Sequence, residues 1–131
     1  MRPSARELLA VALGATLGTG ARLTIDTFVP HSDRGFPLST LVINVVGSLA
    51  LGFLVARVWP SAAGWLRAGL GVGLLGSFTT FSALAVSVVT LGVGWLAVLY
   101  VALTLVLGLA AAFIGLRLGS PTRASIDEAS E

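Results

Sequence analysis

Four sets of polar residues sit among apolar side chains in this chain, where an unsatisfied polar atom is costly and a retained one calls for a reason. Asn44 stands in the uncharged run from Pro37 to Ala56, and its amide can donate two hydrogen bonds, to a functional partner or to a neighbouring helix. Residues Gly76-Ser77-Phe78-Thr79-Thr80-Phe81-Ser82 place glycine, hydroxyls and aromatic rings together. Tyr100, Thr104 and Gly108 recur at helical spacing, aligning two hydroxyls and a gap on one face, although Tyr100 also suits an interfacial belt with Trp95. Arg22 and Asp26, four apart, can pair with each other, or Arg22 can face an aqueous vestibule and attract anions.

This inventory is made of hydrogen-bond donors rather than reactive groups. The chain has no Cys, hence no thiolate nucleophile, thiolate metal site or disulfide, and its single His31 is read as a solvated loop residue. Neither a nucleophile–base pair nor a phosphate-binding loop is recognisable, so an enzyme is not expected. The sequence pI of about 10.5 reflects a small Arg excess without Lys, and no basic patch alternates with exposed aromatics, so nucleic acid is not an expected partner.

The elements that must position these groups are membrane spans. From Ala68 to Leu116 there is no Asp, Glu, Lys, Arg or His, and only Gly92-Val93-Gly94 interrupts the run. A bilayer core of roughly 30 Å needs about 20 apolar residues per helix, so this stretch makes two spans. Two more precede it. With 56% hydrophobic and 11% charged residues, the composition exceeds what a soluble chain of 131 residues can bury. The expected fold is all-α and integral to the membrane, with four transmembrane helices over about residues 7–28, 37–57, 67–91 and 95–117 of a single unit, 1–118. Arg2 and Arg6 ahead of an apolar run also resemble a signal peptide, but the run lacks a convincing small-x-small cleavage site before Arg22, cleavage would discard the Gly14, Gly18, Arg22 row, and the run is read as the first span. Residues 119–131, rich in Ser, Ala and acids, read as a disordered cytoplasmic tail.

An even number of spans puts both termini on one side. That side carries Arg2, Arg6, Arg57, Arg67, Arg117 and Arg123, against Arg34 and marginally Arg22 on the other, so both termini are expected in the cytoplasm. Small residues four apart, at Gly14 and Gly18, Ser48 and Gly52, Gly69 and Gly73, and Gly108 and Ala112, predict close helix packing. The third span should break near Gly76, because glycine costs about 1 kcal/mol relative to Ala in a helix and adjacent threonines restrict it further. Unwound backbone at membrane depth survives only inside protein or along a cavity, where its carbonyls can hold a cation. Four helices make a thin wall around such a feature, so an oligomer is expected.

With these residues in place, the chain resembles the Fluc (CrcB) family of fluoride channels from about Ala12 to Gly115. The resemblance rests on Gly14-Ala15-Thr16-Leu17-Gly18-Thr19-Gly20-Ala21-Arg22, on Pro37-Leu38-Ser39-Thr40-Leu41-Val42-Ile43-Asn44-Val45-Val46-Gly47, and on Gly76-Ser77-Phe78-Thr79-Thr80-Phe81-Ser82. It implies an antiparallel dimer of four-helix subunits in the cell membrane, with the third helix broken mid-membrane, and passive export of cytoplasmic fluoride. It also implies a structural sodium ion at the dimer centre, held by backbone carbonyls that match Gly76 and Thr79. The implied fluoride pathway takes in Asn44, Thr80, Phe81, Ser82, Tyr100 and Thr104, with Arg22 at the vestibule.

The chain departs from the family pattern in three places. Leu84 stands where a second pore phenylalanine is expected, Gly108 where a serine is expected, and Ser87 in place of a Glu. Together with the one-sided arginines, these departures predict pairing with an oppositely oriented paralogue rather than a homodimer. Two rival readings fit less well. A small multidrug-resistance transporter needs a membrane-embedded carboxylate, which Glu7 and Asp26 at the span ends do not supply, and a non-conducting scaffold leaves the Gly76–Ser82 cluster without a purpose.

Overall fold

The computed structural model describes residues 2–28, 36–92 and 94–120. His31, Arg34, Val93 and the tail from residue 121 onward lie outside them. Among the described residues four helices are long and apolar enough to cross a membrane: α1 (Ala5–Phe28), α2 (Leu38–Arg57), α3 (Gly64–Leu91) and α4 (Trp95–Gly119).

Local chemistry sets their ends. Helix α1 starts on a reciprocal cap that sequence reading had overlooked in Ser4-Ala5-Arg6-Glu7: Ser4 Oγ accepts from the Glu7 N–H at 3.2 Å, and the Ser4 N–H donates to Glu7 Oε2 at 2.8 Å. Helix α2 follows Pro37, which has no N–H to lose. Between α3 and α4, Gly92 adopts φ +76°, a left-handed conformation that suits glycine.

Helix α3 is not uniform. Residues Gly64–Arg67 are α-helical, Ala68–Leu75 widen into a π-helix, and Gly76–Phe78 return to α geometry. Thr79 (φ −75°, ψ 153°) and Thr80 (φ −145°, ψ 117°) are then extended, after which Phe81–Leu91 is helical again. The span begins at Gly64, ahead of the expected residue 67, because Ala63 is already extended and its carbonyl accepts from Leu66 and Arg67.

The helices assemble as two parallel pairs. In the first, Gly14 and Gly18 of α1 lie so close to α3 that a β-carbon would strike the Gly69 and Leu74 carbonyl oxygens. In the second, a β-carbon at Gly52 of α2 would strike the Ala112 carbonyl of α4, and one at Gly115 the Leu49 carbonyl. With no hydrophobic effect to drive helices together in lipid, such backbone approaches are what hold a pair. The expected seams at Gly14/Gly18 and Gly69/Gly73 form as read, whereas Gly108 meets only Ser48, and Gly115 takes the close contact on α4 instead.

The pairs meet around Leu41, Leu84 and Tyr100, with the Phe36 ring edge-on to Tyr100 at 5.2 Å. Fully buried large side chains are confined to Tyr100 and Ile43 among the described residues, so most of the apolar surface faces outward, as in a protein whose solvent is lipid. Arg2, Arg6, Arg57, Arg67 and Arg117 gather at one end of the bundle, where the Arg6 guanidinium lies 5.5 Å from the Trp65 ring centre and that of Arg117 4.8 Å from Phe113.

Candidate ion pathway

The extended step at Thr79–Thr80 packs against α2. Gly47 makes room for it, since a β-carbon there would overlap the Thr79 methyl group. One turn earlier on α2, Asn44 closes the step with two hydrogen bonds: the Thr80 N–H donates to Asn44 Oδ1 at 2.8 Å, and Asn44 Nδ2 donates to the Thr80 carbonyl at 3.1 Å. The backbone groups most in need of partners thus receive both from a single side chain.

The hydroxyls complete the local accounting. Thr80 Oγ1 accepts from the Ala83 N–H at 3.1 Å, capping the second half of α3, and lies 3.1 Å from Ser82 Oγ. Thr79 donates to the Leu75 carbonyl at 2.8 Å. Two carbonyls lose their helical donors as a result. In a continuous helix Gly76 would receive the Thr80 N–H and Thr79 the Ala83 N–H, but these now go to Asn44 and to Thr80 Oγ1.

A groove of about 770 Å³ runs between α2, this step and α4. Asn44, Ser48, Gly76, Thr79, Thr80, Phe81, Thr104 and Gly108 all line it, among mostly apolar neighbours. Phe81 is 81% exposed, its ring projecting from the surface, while Thr80 and Thr104 are buried in the wall. The other predicted site residues are not on this groove. Tyr100 is wholly buried in the core, its hydroxyl without a hydrogen-bond partner among the described residues. Ser82 is exposed beside the groove and touches it through Thr80, and Arg22 is half-buried towards the far end of α1.

Leu84 packs with Tyr100 in the core, and Ser87 is buried with its hydroxyl donated to the Ala83 carbonyl. Sequence reading missed Gly47 and Ser48 as parts of the site. The available signal was their position three and four residues after Asn44, which puts both near it on one face of α2.

No group of three or more His, Cys, Asp or Glu that could hold a metal occurs among the described residues. What the groove offers is neutral: an amide, hydroxyls, ring edges and freed carbonyls, set in a polytopic helical protein. That combination belongs to ion passage rather than bond making.

Comparison with known proteins places the chain. Residues 9–116 match the family described as CrcB-like protein, Camphor Resistance (CrcB), and the chain belongs to that family. It is 38% identical to the protein named Fluoride-specific ion channel FluC 2 of Halalkalibacterium halodurans over 92% of this chain and 90% of the relative. It is 42% identical to Fluoride-specific ion channel FluC of Paracoccus denitrificans, over 85% of this chain and 92% of that one. A third such protein, from Methanopyrus kandleri, is 40% identical over 86% of this chain and 88% of its own length. These relatives are ion channels by name, and the chain is a multi-pass membrane protein of that kind, not an enzyme.

Proposed function

We propose that the chain is one subunit of a fluoride-selective channel that lets cytoplasmic fluoride leave the cell passively and so lowers its toxicity. The carrying observation is the Asn44–Thr80 junction, which holds an amide, hydroxyls and a phenylalanine at one groove in an otherwise apolar span region. Fluoride is small and strongly hydrated, so a pathway must replace its water with donors and with the electropositive edges of rings. Asn44, Thr80, Phe81, Ser82 and Thr104 are assigned to that pathway, Tyr100 to its buried backing, and Arg22 to the vestibule. Hydrogen fluoride crosses membranes as a neutral acid and ionises inside, so a conductive exit for the anion suffices.

The subunit works as an antiparallel dimer in the cell membrane, with the broken stretch of α3 at mid-depth. The open side of the groove and the exposed Phe81 ring support a partner that completes the wall. Five arginines gathered at one end favour insertion with both termini in the cytoplasm, and hence an oppositely oriented paralogue as partner; the alternative is a homodimer. The freed carbonyls of Gly76 and Thr79 fit a structural sodium ion, which takes neutral oxygen donors of this type and would supply fixed positive charge where subunits meet.

Fluoride efflux from proteoliposomes tests the reading, using this chain alone and with its paralogue. Electrode-detected efflux in either preparation supports a fluoride channel, and efflux that needs the paralogue supports the heterodimer. Absence of flux from both would return the chain to the scaffold reading.

A further inference from the structure

Several hydroxyls in this chain hand their proton to the carbonyl one turn back. Thr16, Thr24, Thr79, Ser87 and Thr104 all do so, at 2.8 to 3.0 Å. A hydroxyl committed in this way still accepts, but it has no proton for an anion. Thr79 and Thr104 therefore line the pathway without donating to fluoride, and its donors must come from elsewhere on the wall.

Ser48 makes no such commitment. It lines the groove on α2, and among the described residues its Oγ makes no hydrogen bond, to the Asn44 carbonyl or to anything else. Directly across stands Gly108 of α4, where even a β-carbon would lie 3.5 Å from Ser48 Oγ, so no side chain competes for that space. Asn44 is one turn earlier on the same face, and with one Nδ2 hydrogen given to Thr80 it keeps a second donor.

We propose that Ser48 is a fluoride-binding residue and that Asn44 and Ser48 form a two-step donor ladder along α2, with Gly108 as the gap that keeps the second step open. This rests on the fluoride-channel reading and adds to it the residue that supplies the next free proton after Asn44. A small, strongly hydrated anion leaving the Asn44 amide needs another donor within about one helical turn, or it must cross an apolar stretch bare. The Ser48 hydroxyl supplies it.

Fluoride efflux from liposomes, carried out on the wild-type channel and on Ser48→Ala and Ser48→Ala/Gly108→Ser variants, tests the ladder. Loss of one hydrogen bond to a charged ligand should slow Ser48→Ala by about tenfold or more, with an unchanged melting temperature. A serine at position 108 projects into the same space from the opposite wall and should restore much of the rate. Wild-type efflux with an equally fast Ser48→Ala variant overturns the ladder while leaving the channel reading intact, whereas a wild type silent both alone and with its paralogue overturns both. Should Ser48→Ala lose stability along with flux, the double variant decides: restored flux upholds the donor role, and unrestored flux refutes it.

Discussion

Asn44 and Thr80, 36 residues apart in the chain, exchange two hydrogen bonds that turn a gap in one helix into a fixed feature on the face of another. The amide is suited to this because it donates and accepts side by side, matching the N–H and C=O of one extended residue. The isosteric carboxylate, which only accepts, cannot do both.

Asn44→Asp should therefore abolish fluoride flux. The carboxylate would keep the acceptor facing the Thr80 N–H but set a second oxygen against the Thr80 carbonyl, and its charge would repel the anion. Stability should fall by about 1–3 kcal/mol, read as a lower melting temperature in detergent. Wild-type flux would remove Asn44 from the pathway.

Phe81→Ile should lower flux and leave the subunit's stability nearly unchanged. The ring is mostly exposed, so it contributes little to packing within the subunit, while its loss removes a polarised edge from the groove rim. Efflux at the wild-type rate would mean the ring serves only contact.

Gly115→Ala should loosen the α2–α4 pair, because the new methyl overlaps the Leu49 carbonyl oxygen and the backbones must separate. A cost of about 1–3 kcal/mol is expected for overpacking of this kind. Gly20→Ala, with nothing within 4 Å of its β-carbon, is the control and should be neutral or better. Thermal melting of the two variants side by side checks the contrast.

Tyr100→Phe should keep or raise stability, since it removes a buried hydroxyl that has no partner among the described residues. A clear drop in melting temperature would mean that the phenol finds a partner in the assembled channel.

Cysteines introduced singly at Pro3 and Ser120 should react with impermeant reagents only from the cytoplasmic side. The chain has no native Cys to confuse the readout. Equal labelling from both sides would refute a fixed orientation and with it the argument for a paralogue.

Membrane residence, four spans and the residues carrying the family resemblance were legible in the chain itself. They depend on composition and on spacing along a single helix, both properties of local sequence: an uncharged run must cross or avoid the bilayer, and small residues four apart must share a face. Gly14 and Gly18 could be read as a packing seam for that reason. Their counterparts could not all be found the same way. Gly115 rather than Gly108 meets α2 most closely, a choice set by how α2 and α4 register against each other.

The same limit governed the site. Asn44 was recognisable as a polar residue needing a purpose, but its options of serving an ion or another helix could not be separated by sequence, because its partner lies on a different span. Tertiary structure pairs it with the Thr80 backbone and still leaves one donor to the groove. It also withdraws Tyr100 into the core, although helical spacing aligns it with Thr104, because the Phe36, Leu41 and Leu84 side chains enclose it. Spacing determines which residues share a helix face; only the packing of one helix on another decides what that face meets, and so which hydroxyls keep a proton to offer an ion.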